Sequence, residues 1–171
     1  MGWVGKQKSM KILWFRGRFY NHYFVKDKFV VRYSPYLRDL SHQIIDEMFD
    51  SKFSAFHIRL GDYADKAKSR MNDGSAFVLI SQKWNIPDQQ PLYVATDAKK
   101  EDTFFEPLSH HFSDIYYQSD LLRNRKVRAL LTNLTLSLPA SSIRNDVFGL
   151  VEQLMCSQST HFVGSLWSTF V

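Results

Sequence analysis

Residues 53–63 read FSAFHIRLGDY. The first six, Phe53 to Ile58, have the length and mostly apolar character of a buried strand. The run then stops on Arg59, Gly61 and Asp62, with His57 just inside it. A strand end needs only turn formers such as Gly or Asp. A permanent cation, a titratable ring and an acid gathered at one strand end ask for a further reason, and the elements on either side supply it.

Upstream, SPYLRDLSHQIIDEMF opens on Ser34, a good N-cap, with Pro35 at the first helical position. Leu37, Leu40, Ile44, Ile45 and Met48 then recur at steps of three and four, the mark of an amphipathic helix. KILWF at 11–15 is a short strand before it. Downstream, the turn-like NDG predicts a helix over 75–83, and PLYVATD predicts a strand from Leu92 to Ala95 or Thr96. KKEDTFFEPL reads as a short helix and SDIYYQSD as a strand over 114–117. RNDVFGLVEQLMCSQS is a helix with Asn145 as its cap and Val147, Val151, Leu154 and Met155 on one face, and THFVGS is the last strand.

Strands alternating with helices predict one α/β domain over 1–171, a Rossmann-like parallel sheet flanked by helices. Ligands of such sheets bind at the carboxyl ends of the strands. One end carries His57, Arg59, Gly61 and Asp62; another carries Thr96 and Asp97; the last carries Gly164 and Ser165, with Ser168, Thr169 and Phe170 following. Arg59 presents a planar fork of donors suited to phosphate or carboxylate. Gly61 permits close backbone approach. Asp62 is placed to orient Arg59, His57 to donate to a phosphate, Ser168 and Thr169 to add donors, and Phe170 or Trp167 to offer a flat surface to a base. The same residues also allow a purely structural Arg–Asp pair on a turn, with His57 satisfied in the core.

Composition narrows the classes. Apolar residues make up 44% and aromatics 15% of the 171 residues, enough for a packed core. The net charge of +5 suits an anionic ligand. The basic run RNRKVR, Arg123 to Arg128, has no interleaved aromatics and reads as a solvated face, so no nucleic-acid partner is expected. Cys156 is the one cysteine, so no internal disulfide and no Cys/His zinc site is expected, and its apolar helical setting predicts a buried thiol. The adjacent His110 and His111 diverge on a helix or strand and read as surface residues. There is no G-x-G-x-x-G, P-loop, G-x-S-x-G or Asp-x-Asp, and no metal site is expected. Residues 1–15 contain no long apolar run, so neither a signal peptide nor a membrane span is expected there. Asn133-Leu134-Thr135 fits an N-glycosylation acceptor.

Three segments together resemble a known family. AFHIRLGDY resembles the H-x-R-x-G-D motif of the O-fucosyltransferase-like glycosyltransferases, and LYVATDAKKEDTFFEPL is similar to their Y-[IV]-A-T-D…F-F-x-P-L segment. RNDVFGLVEQLMCSQSTHFVGSLWSTF is similar to their closing N-D-x-F-G…S-T-F segment, and the resemblance runs in order from about Lys11 to Phe170. It implies the C-terminal, donor-binding domain of a GT-B glycosyltransferase, with the acceptor-binding N-terminal half and the helix after S-T-F missing. It implies an inverting transfer of fucose from GDP-fucose to a hydroxyl of a protein or glycan acceptor, with no cofactor and no metal required, in the secretory pathway. A related transferase using another donor, such as UDP-rhamnose, or a remnant that binds a nucleotide sugar without turnover, are the alternatives. By the resemblance Arg59 grips the diphosphate and carries the catalysis. His57, Gly61, Asp62, Asp97, Ser168, Thr169 and Phe170 join it in donor binding. Asp97 and Glu152 match acids of the family motifs, and some relatives carry a guanine-reading acid where Thr160 and His161 stand. Alone, the chain is expected to bind donor weakly and to turn over nothing.

Overall fold

The computed structural model describes residues 11–14, 33–61, 73–136 and 141–164. Five parallel strands form one sheet: β1 (Lys11–Trp14), β2 (Ser54–Ile58), β3 (Leu92–Thr96), β4 (Ile115–Tyr117) and β5 (His161–Gly164), in the spatial order β1-β5-β2-β3-β4. The expected Rossmann-like α/β architecture is the one found, and β2 lies at its centre. All five residues of β2 are buried, as a strand covered on both faces requires.

Helix α1 (Pro35–Phe49) begins as the sequence predicts. The Ser34 hydroxyl accepts from the Leu37 N–H at 3.3 Å, and Pro35 occupies the first turn. Leu40, Ile44, Ile45 and Phe49 are buried, with Leu37 and Met48 partly so. The helix stops at Asp50, which takes a left-handed conformation at φ 46°. Helix α2 (Ser75–Lys83) follows Gly74, whose backbone N–H donates to the Phe104 carbonyl at 2.8 Å. A Cβ at residue 74 would stand 2.7 Å from that carbonyl oxygen, so a larger residue would force the contact apart. Phe104 belongs to a 3-10 turn over Thr103–Phe105 that leads into α3 (Glu106–His111).

Two helices lie where no helix was expected. After β4 come α4 (Gln118–Arg123) and α5 (Arg125–Leu136). The basic run hides their pattern: Arg123, Arg125, Lys126 and Arg128 are exposed, whereas Leu121, Val127 and Leu131 are buried. Asn124 was the available signal, since its side-chain oxygen accepts from the N–H groups of Lys126 (2.9 Å) and Val127 (3.2 Å). Asn133 is an exposed residue of α5. Helix α6 (Ser141–Ser157) corrects a second expectation, because Asn145 lies inside it, four residues past its start. The serines after Pro139 are equally good helix openers, and once a helix is under way an asparagine costs it only about 0.6 kcal/mol.

The helices cover opposite faces. Alternation along β2 sends Phe53 and Ala55 to one face, with α1, α5 and α6, and Phe56 and Ile58 to the other, with α2 and α3. The second face is rich in rings: Phe56 meets Phe112 edge-on at 5.6 Å, and Phe105 meets Tyr117 at 5.5 Å. Cys156 is buried on the first face, as expected, and burial pushes its thiol well above the ordinary range. His110 is exposed on α3, while half-buried His111 packs edge-on against Phe112 at 4.8 Å.

Candidate functional site

The strand order makes neighbours of three strand ends. β5 and β3 flank β2, with His57 level with Gly164 on one side and with Ala95 on the other. His57 near the end of β2, Arg59 and Gly61 just past it, and Asp97 just past β3 therefore meet along the carboxyl edge of the sheet. Asp62, Ser168, Thr169 and Phe170 lie outside the described residues.

Asp97 organises this edge. One carboxylate oxygen accepts from the Leu60 N–H at 2.8 Å and the other from the Gly61 N–H at 3.0 Å. The second oxygen also stands 3.8 Å from Arg59 Nε, an ion-pair distance beyond hydrogen-bond range. About a third of each side chain reaches solvent, so the pair draws little stability from its charges. Gly61 is required by the closeness of the approach: a Cβ there would lie 2.5 Å from Asp97 Oδ2. The expected Arg59–Asp62 pairing lies outside the described residues; among these, Asp97, just past the adjacent strand, stands at ion-pair distance from Arg59.

His57 is 7% exposed, on the same sheet face as Ala55. Burial lowers its pKa to about 4; the Asp97 charge acts in the opposite sense and the Arg59 charge reinforces burial. The ring is therefore neutral at pH 7, with one nitrogen able to donate and one to accept.

A second polar group occupies the same face deeper in the sheet. The buried Tyr93 hydroxyl of β3 donates to a carboxylate oxygen of Glu152 on α6. Burial pushes Glu152 up to about 7, against the opposing effect of the tyrosine hydrogen bond. The same burial, with the Glu152 charge, pushes the Tyr93 hydroxyl well up. Both residues fall in the family-like motifs, Tyr93 as the Y of Y-[IV]-A-T-D, but only the fold pairs them.

Thr160 and His161 stand at the opposite end of the sheet. The Thr160 hydroxyl donates to the Phe53 carbonyl at 2.8 Å and accepts from Gln90 Nε2 at 2.6 Å, and His161 pairs in register with Ser54, the first residue of β2. Thr160 precedes β5 and His161 opens it, so both are remote from Arg59. One cation near the carboxyl edge escaped sequence reading: Lys100, four residues after β3 ends, pairs with Asp120 at 3.2 Å, and Asp120 in turn accepts from the Tyr117 N–H. A hollow of about 560 Å³ lies beside it, lined by Lys100, Asp102, Phe105, Ser109, Phe112 and Tyr117, and none of His57, Arg59, Gly61 or Asp97 borders it. Its lining also includes Glu101 and Glu106, so with Asp102 three carboxylates face it, a poor setting for a diphosphate.

Residues 8–171 match the family model described as GDP-fucose protein O-fucosyltransferase. The chain belongs to that family. No curated protein and no solved structure matches it. Membership makes it a fucosyltransferase-like glycosyltransferase chain, from a family whose reaction joins a nucleotide-sugar donor and an acceptor. Among the described residues no helix is long and apolar enough to cross a membrane.

Proposed function

We propose that this chain is the donor-binding half of an O-fucosyltransferase-like enzyme and that Arg59 grips the diphosphate of GDP-fucose. The observation that carries the reading is the place of Arg59: it follows the central strand, at the ligand edge of an open parallel sheet, beside the ends of β3 and β5. A guanidinium there meets phosphate oxygens with paired N–H donors. Neutral, nearly buried His57 adds a donor that stays uncharged at neutral pH. Ser168, Thr169 and Phe170, reached by the chain after Gly164, are proposed to close the phosphate and base side of the site, and Asp62 to border it.

In the transfer, an acceptor hydroxyl oxygen attacks the anomeric carbon and the bond from that carbon to the phosphate oxygen breaks, with inversion. The electron pair stays on GDP, where Arg59 stabilises the growing negative charge. The acceptor proton passes to a base from the acceptor-binding half of the enzyme. No metal is assigned a role, because Arg59 supplies the cation at the leaving diphosphate. Secretory-pathway localisation and a protein or glycan acceptor belong to the same proposal, through the family.

Calorimetric titration of the full chain with GDP, and separately with UDP, tests it. Binding of GDP with at least tenfold preference over UDP is expected. Equal affinities, or tighter UDP, would transfer the site to a uridine-linked donor. A folded chain that binds neither nucleotide would sink the donor-site reading.

A further inference from the structure

We propose that Asp97 is the positioning residue of the site: it holds the turn Arg59–Gly61 so that the guanidinium faces the strand ends, and it makes no contact with the donor itself. This rests on the donor-site reading above and contradicts a direct donor-binding role for Asp97. Thr96 pairs in register with Ile58, so the next residues of the two strands leave the sheet side by side. There each carboxylate oxygen takes one N–H of the β2 turn, at 2.8 and 3.0 Å. The Arg59 Nε lies 3.8 Å away, near enough to be oriented by the negative charge. The backbone holds one acceptor site on each oxygen, and the negative charge that remains repels a diphosphate. Gly61 completes the device, since its missing side chain lets the carboxylate reach the backbone.

An asparagine at position 97 keeps one acceptor and turns an amide N–H₂ toward the other backbone donor. Asp97→Asn therefore breaks half of the clamp with almost no change of volume. Gly61→Ala presses on the same carboxylate and leaves every charge in place. GDP titration of the full chain is expected to show each variant about tenfold weaker than the parent and Arg59→Ala about 100-fold weaker. The double variant Arg59→Ala/Asp97→Asn is expected to be no weaker than Arg59→Ala alone, because Asp97 acts through Arg59. Losses that multiply would overturn the proposal and make Asp97 a donor contact. An Asp97→Asn affinity within twofold of the parent, with Arg59→Ala still weak, would also overturn it and leave the donor site standing. If GDP does not bind at all, amide hydrogen exchange at Leu60 and Gly61 still decides about the clamp: Asp97→Asn speeds both at unchanged melting temperature, and unchanged exchange refutes it.

Discussion

Two carboxyl groups, Asp97 just past the end of β3 and Glu152 against Tyr93 within it, are solvated in opposite ways. At the strand ends Asp97 meets two backbone N–H groups and a guanidinium, and about a third of it touches water. Deeper in, Glu152 meets the Tyr93 hydroxyl beneath α6, and burial pushes it up to about 7. A carboxylate is kept useful by convergent donors and a nearby cation; a single phenol does not replace the lost water. The first arrangement can aim a cation at a ligand, while the second holds a helix against the sheet.

Removing the cation is the strongest way to test that division. Arg59→Ala is expected to weaken GDP binding about 100-fold, about 3 kcal/mol, with little change in melting temperature because the side chain is a third exposed. Calorimetry beside a thermal melt measures both. A large fall in melting temperature would place Arg59 with the structural group instead.

The pH dependence of stability sets the two regions against each other. His57 has a folded pKa of about 4, below its unfolded value near 6.5, so between these limits the unfolded chain holds the extra proton and stability falls as pH falls. Glu152 has a folded pKa of about 7, above its unfolded value near 4.5, so there the folded chain holds the extra proton and stability falls as pH rises. Each effect is about 3 kcal/mol across its window, and the two cancel between about pH 4.5 and 6.5. Glu152→Gln should uncover a stability that climbs from pH 4 to 6.5, and His57→Gln one that declines from 4.5 to 7. Urea midpoints taken at stepped pH read these slopes; parallel profiles for parent and Glu152→Gln would show that the buried carboxyl is not linked to folding.

Tyr93→Phe takes away the side-chain donor hydrogen-bonded to Glu152 among the described residues. It should cost about 1–2 kcal/mol, a few degrees of melting temperature, and leave GDP affinity unaltered. A loss of GDP affinity would join the two regions into one site. At the bottom of the scale is Lys126, which pairs with Glu47 at 2.9 Å but is mostly exposed. Lys126→Ala should change stability by less than about 0.5 kcal/mol in urea unfolding, the baseline against which the other variants are read.

Much of the architecture is legible in the chain because local rules and tertiary demand agree. The 3.6-residue spacing of Leu40, Ile44 and Ile45 and the cap at Ser34 mark α1 as it is found. The apolar runs of β2 and β3 need no partner to be recognised. α4 and α5 escaped because a basic run dominates their sequence, while their buried side, Leu121, Val127 and Leu131, is sparse. Asn145 misled because a capping residue inside a helix looks the same in sequence as one at its start.

The residues alone determined that a parallel α/β sheet ends in a cation at Arg59, since strand length, helical period and residue charge are local properties of FSAFHIRLGDY and its flanks. Only the tertiary structure decided what holds that cation. Asp97 is 38 positions from Arg59 along the chain and becomes its neighbour because β3 pairs with β2, while Thr160 and His161, close to the glycine that ends β5, fall at the far end of the sheet. Strand pairing joins residues by register, and register depends on contacts between segments that the chain keeps far apart.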